Sequence, residues 1–214
     1  MFVKTLFFIT IIFLSGCNTK AINTSQFSGF LTSYKDLTFD KNQNAYRWID
    51  ESTIRHYHSV VITPIQVYPA NQANPAIAQQ ATSYLEEQFT NRLRGRKKLK
   101  SRPGNGVLQL RAAITSITKK TEGFKAYEIL PIAAVYKGIQ AAAGERATYI
   151  DVNLEAELVD SQTGKVVAAL VEKTIGETQK RSEDQLEFSD AKPTLDKWVI
   201  RFDKFIEGNI KGDL

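Results

Sequence analysis

Tyr149-Ile150-Asp151-Val152-Asn153-Leu154-Glu155-Ala156-Glu157-Leu158-Val159 decides the fold. Successive side chains of an extended chain point to opposite faces. Ile150, Val152, Leu154, Ala156 and Leu158 therefore share one side, and Asp151, Asn153, Glu155 and Glu157 share the other. Alternation this regular predicts a strand in a sheet that is covered on one face and wet on the other. Asp160-Ser161-Gln162-Thr163-Gly164 follows as a hairpin turn, with glycine where a positive φ is needed. Lys165 to Ile175 then returns as the partner strand.

Upstream, Pro103-Gly104-Asn105-Gly106 is turn chemistry, and Val107 to Thr118 reads as a strand with Leu108, Leu110, Ala112 and Ile114 on one face. Val60 to Tyr68 is β-branched and apolar, a strand buried on both faces, with Pro64 marking an edge or a bulge. Asp40 to Asn44 is a loop. Asn74 opens a helix with Pro75 at its favoured first position. Ile77, Ala81, Tyr84, Leu85, Gln88, Phe89 and Leu93 follow the 3.6 period along it, and Gly95 suits its C-terminal cap. A second amphipathic helix spans Thr194 to Ile210, with Leu195, Trp198, Val199, Phe202, Phe205 and Ile206 on its apolar side and Pro193 in its first turn. Ile129 to Ala143, rich in Ala, Ile and Val, reads as a buried helix or hairpin. The order strand-helix-strand, Ala-rich segment, strand-strand-helix predicts an α+β fold: a mostly antiparallel sheet of about four strands with amphipathic helices on one face.

The N-terminus is a separate matter. Lys4 precedes an almost wholly apolar run from Thr5 to Leu14. About ten helical residues rise ~15 Å, half of a ~30 Å hydrocarbon core, so the run reads as a secretory signal and not a membrane span. It ends in Leu14-Ser15-Gly16-Cys17, a lipobox in which cleavage before Cys17 frees an amine and the thiol carries lipid. Each buried methylene contributes ~0.8 kcal/mol, and one chain alone binds only reversibly, so a diacylglycerol thioether plus an N-acyl chain (palmitate, for example) anchors permanently. In lipoproteins with this signal, aspartate after the cysteine favours the inner membrane, and Asn18 points to the outer one. Residues 1–16 are thus signal, 17–28 are lipidated cysteine and polar tether, and 29–214 form one periplasmic domain. Ser28-Gly29-Phe30-Leu31, with Tyr34 and Leu37, are expected to dock the tether's end onto that domain.

The periplasm permits disulfides, yet the chain has one cysteine. Spent on lipid, it leaves no staple, thiol catalyst or cysteine metal site. Net charge is +5, and in this compartment a basic surface meets anionic headgroups or peptidoglycan carboxylates before it meets nucleic acid.

Leu14-Ser15-Gly16-Cys17, Ser28-Gly29-Phe30-Leu31 with Tyr34, Tyr46-Arg47, Pro64-Ile65-Gln66-Val67, Gly106-Val107-Leu108-Gln109-Leu110-Arg111 and Asp160-Ser161-Gln162-Thr163-Gly164 occur in this order. Together they resemble the uncharacterised bacterial lipoproteins called domain of unknown function 3313. The resemblance covers most of the mature chain and implies an anchor and a fold. Its motifs are structural and imply no catalytic residues.

Candidate chemistry is sparse. His56 and His58 share one face if their stretch is extended, as a two-histidine metal site requires, but no third ligand is marked by spacing; two polar residues at a strand entry explain them as well. Asp151, Glu155 and Glu157 line one strand face, where paired carboxylates could do acid–base work if buried; the alternation predicts them solvated. Gly104 and Gly106 lead into a strand, whereas a phosphate loop leads into a helix, and no Gly-x-Ser-x-Gly elbow occurs. Arg92, Arg94, Arg96, Lys97, Lys98, Lys100 and Arg102 crowd one helix end. They could contact an anionic surface or acidic partner at ~1 kcal/mol per residue, or be a solvated helix C-terminus.

The expectation is a lipoprotein held at the outer membrane, facing the periplasm, without cofactor or metal. It would act as a non-catalytic interaction or envelope-assembly module. The alternative is an oligomeric, membrane-active or secretion-associated lipoprotein that packs the Ala-rich segment 129–144, Tyr136 included, between subunits or against lipid.

Overall fold

The computed structural model describes residues 27–71, 74–121, 148–175 and 186–211. Seven strands form one sheet: β1 (Thr38–Asp40), β2 (Ala45–Ile49), β3 (Ser59–Ile62), β4 (Gln66–Val67), β5 (Val107–Thr121), β6 (Thr148–Asp160) and β7 (Val166–Ile175). Among the described residues two α-helices, α1 (Pro75–Gly95) and α2 (Phe188–Asn209), pack on it. The α+β class holds. The expected mostly antiparallel sheet of about four strands is corrected to a mixed sheet of seven.

In space the strands run β1-β2-β7-β6-β5-β3, with β4 also beside β5. The β5–β6–β7–β2–β1 pairings are antiparallel, but β3 and β4 pair with β5 in parallel, making the sheet mixed. The reason is connectivity. α1 lies between β4 and β5 and carries the chain back to the end where β3 began, and strands joined by such a crossover run the same way. Pro64 splits the expected Val60–Tyr68 strand into β3 and β4, each bonded to the same long β5. β1 and β2 were too short for their alternation to register; Arg47 joins Asp40 across their hairpin at 3.2 Å.

The long hairpin behaves as its sequence indicates. Gly164 turns at φ +73° and Gly106 at φ +66°. At Gly106 a Cβ would also stand 2.4 Å from the His58 ring, so two constraints coincide there. Leu108, Leu110, Ala112 and Ile114 do share a face. A bulge between Ile114 and Ser116 then resets the register, so that Ile117, not Ser116, returns to it.

Both helices lie on that face. Ala81, Leu85, Phe89 and Leu93 of α1 meet Leu195, Trp198, Val199 and Ile206 of α2 above Leu108, Ile114, Val152 and Leu154. α1 starts at Pro75 as expected, but Gly95 stays helical, and Lys97 takes the left-handed conformation at φ +57°. That swings Lys98 inward, where its Nζ donates to the Ile210 carbonyl. α2 starts six residues before Thr194, because the Glu187 backbone N–H donates to Asp190 at 2.9 Å and caps the added turn. Pro193 is therefore inside the helix. No described helix is long and apolar enough to cross a membrane.

Candidate functional site

The opposite face overturns an expectation. Glu155 and Glu157, which alternation places in solvent, are each only 1 % exposed. A strap, residues 27–37, lies across them. Phe30, Leu31 and Leu37 bury themselves against Tyr46, Ala113, Ala169 and Val171, and Phe27 stacks on Tyr34 with ring centres 4.9 Å apart. This is the docking expected of Ser28 to Leu31, at a location the sequence did not supply.

The carboxylates hold the strap. Glu155 accepts from the Ser28 N–H at 2.8 Å and from the Tyr34 hydroxyl. Glu157 accepts from the Thr32 N–H at 3.0 Å, the Thr32 hydroxyl at 2.9 Å and Arg111. Burial, and then the hydrogen bond to Glu155, push the Tyr34 phenol up to about 12, which keeps it a donor at any ordinary pH. A buried carboxylate is costly unless its lone pairs are satisfied. Here strap and Arg111 satisfy them, and the two candidate acid–base groups hold the strap in place. Asp151, the third candidate, is half-buried on the same strand.

On the helix side a cavity of about 490 Å³ opens between α2 and strands β2, β7 and β6. Its wall is apolar where Leu110, Leu154, Leu158, Leu170, Phe202 and Phe205 meet. Three cations line it, Arg47 from β2 and Arg201 and Lys204 from α2. Inside stands Glu172, 4 % exposed and joined to Arg201. Burial raises its carboxyl above the usual range despite the guanidinium. The Trp198 indole N–H, 2 % exposed, turns toward Glu172 and favours its charge without the alignment of a hydrogen bond.

The remaining candidates scatter. Of the basic run, Arg96 bonds Asp203 at 2.6 Å and Glu207 at 3.2 Å, Arg92 approaches Asp203 at 3.9 Å, and Lys98 is buried. These three tie α1 to α2. Arg94, Lys97, Lys100 and Arg102 remain exposed. His56 closes a 3-10 turn, Ile54–His56, so the stretch is not extended as a shared face requires, and His58 packs on Gly106. Among the described residues no three His, Cys, Asp or Glu side chains gather as metal ligands. Cys17, the tether to Gln26 and the Ala-rich segment 129–144 with Tyr136 lie outside the described residues.

Sequence reasoning missed the cavity and its polar members, Glu172, Arg201 and Trp198. A faint signal existed: Glu172 is a lone acid among Val167, Ala168, Ala169, Leu170 and Val171. Its pairing with a helix 29 residues on had no local mark.

The chain is 31% identical over 191 residues to the uncharacterized lipoprotein YdcL of Escherichia coli K12, covering 86% of each. Among solved structures, the PelC dodecamer from Paraburkholderia phytofirmans matches at 14% identity over 79% of this chain and 98% of that one, TM-score 0.40. Lipoprotein GNA1162 from Neisseria meningitidis matches at 15% over 71% and 99%, TM-score 0.32. Both are distant likenesses. The family model described as protein of unknown function (DUF3313) matches residues 26–202, and the chain belongs to that lipoprotein family.

Proposed function

We propose that the protein is tethered through acylated Cys17 to the periplasmic side of the outer membrane, where it serves as a non-catalytic binding module in envelope assembly. The observation that carries this is the strap. The lipobox cysteine is followed by nine residues, Asn18 to Gln26, up to ~30 Å extended, before the strap begins at Phe27 and buries Phe30 and Leu31 on the sheet. Lipid and domain are thus closely coupled, and binding energy at the domain is delivered at a bilayer surface. The non-catalytic part is supported by the saturation of Glu155 and Glu157 by strap donors. The helix side instead offers an open apolar cavity with cations at its lining, the form of a binding site.

In vivo photo-crosslinking tests this, with the reactive residue placed at Lys204 on the cavity lining and at Lys100 on the basic loop, together with Cys17→Ser. The expected result is a specific adduct from at least one position, lost or reduced when Cys17→Ser frees the protein from membranes. No specific adduct from either, or membrane fractionation unchanged by Cys17→Ser, contradicts the reading.

A further inference from the structure

Resting on the reading of the domain as a binding module, we infer that the cavity under α2 takes a single acyl chain with an anionic head, a long-chain fatty acid being the simplest. Its volume, about 490 Å³, falls in the ~300–1,000 Å³ range of ligand pockets. That is room for one chain and not for a two-chain phospholipid. It runs along β7 from Ala168 to Glu172, ~13 Å at strand rise, a path for a stretched chain. Leu154, Leu158, Leu170 and Phe205 give that path no polar group except backbone already paired within the sheet. Leu170, Phe202 and Phe205 are each only half-buried, and an acyl chain lying against them would remove that apolar surface from water.

The head is selected by charge. The side chains that line the cavity include three cations, Arg47, Arg201 and Lys204. Arg47 is shared with Asp40, and Arg201 gives one nitrogen, Nη1, to Glu172. A guanidinium carries five N–H donors, so Arg201 keeps others for an incoming carboxylate. Lys204 is exposed and makes no ion pair among the described residues. Of the acids, Glu172 is matched by Arg201, and the Glu157 carboxylate turns away to Thr32 and Arg111 on the other face. The lining is left cationic beside an apolar trough, which complements an amphiphilic anion and disfavours a neutral or cationic one. The Trp198 N–H, buried and poorly served by Glu172, adds one unsatisfied donor in the same wall.

Trp198 also reports on occupancy. The chain has two tryptophans; Trp48 packs with the strap-side cluster and also reaches the cavity lining, where phenylalanine keeps an aromatic ring. In full-length acylated protein held in amphipol, Trp48→Phe leaves Trp198 as the sole indole. A dibrominated stearic acid, whose bromines quench an indole on contact, should then cause saturable loss of about half the emission, with its methyl ester binding about tenfold more weakly. Lys204→Glu, at an exposed position that leaves folding intact, should weaken the acid about fivefold and leave the ester unchanged. Ala168→Phe, which fills the trough, should abolish quenching by both. Absence of saturable quenching, equal affinity for acid and ester, or quenching unaltered in both variants overturns the inference. Crosslinked protein adducts surviving alongside such a result would leave the binding-module reading standing with a different occupant.

Discussion

The two faces of one sheet are built by different physics, although β6 supplies both. Its even-numbered side chains, Ile150, Val152, Leu154 and Leu158, enter a core closed by α1 and α2. Its odd-numbered Glu155 and Glu157 are buried as deeply, beneath a strap with no regular structure. On the first face, apolar burial at ~25 cal/mol per Å² suffices and demands little geometry. On the second, apolar contacts from Phe30, Leu31 and Leu37 are joined by five hydrogen-bond donors aimed at two carboxylates. Such an arrangement adds specificity, because a strap shifted by one residue would leave buried charge unpaired. Polar alternation therefore signals that the faces differ in chemistry. It does not signal that one is wet.

The largest expected effect tests whether the helix face carries global stability. Leu85→Ala, at a fully buried position on the core side of α1, should cost about 2–5 kcal/mol, seen as a lower denaturant midpoint reported equally by both faces. If the strap survived while the helices melted, the ranking of the faces would be reversed. Next, Arg111→Met strips Glu157 of its cation. With Arg111 40 % exposed, solvent discounts the usual penalty of breaking a buried pair, and about 2 kcal/mol remains. Adding Glu157→Gln should recover part of it; a double variant no better than the single one would argue against the carboxylate as the source.

A smaller loss, about 1–2 kcal/mol, is expected of Tyr34→Phe, which removes one donor from Glu155. Hydrogen exchange should show it as faster opening of residues 28–37 with α1 protection unchanged. Equal acceleration in both would mean the faces open as one unit. Smallest are the pH slopes. Arg96, bonded to Asp203, holds that carboxyl below its usual range. Its stabilisation is therefore present above about pH 4 and lost as pH falls through the lowered folded value. Glu172 works the other way: its folded value is raised, so stability grows as pH falls through it toward the ordinary carboxylate range. Thermal midpoints against pH should lose the acid-side decline in Asp203→Asn and the opposing gain in Glu172→Gln.

Much of the helix face was legible. The α1 stripe, the Leu108 to Ile114 face, the Asp160–Gly164 turn and the apolar side of α2 all rest on periods of two or 3.6 and on glycine conformation, which a short window records. The helix ends were less so. Pro193 suggested a start at Thr194, but the Glu187–Asp190 cap lay a turn earlier. In the basic run, seven cations read as one patch, and only the fold separates Arg92, Arg96 and Lys98, which brace α2, from those left in water.

By itself the sequence determined the α+β class, the long β6–β7 hairpin and which residues seek a core, because each is written in neighbouring residues. Only the tertiary structure decided that β3 and β4 run parallel to β5, that Glu155 and Glu157 are buried, and that a cavity forms beside Glu172. Those outcomes depend on groups 121 to 127 positions apart in the case of the strap, and on α2 lying over β7. Whether a charged side chain is solvated depends on what packs over it, and no local pattern encodes the approach of a distant segment.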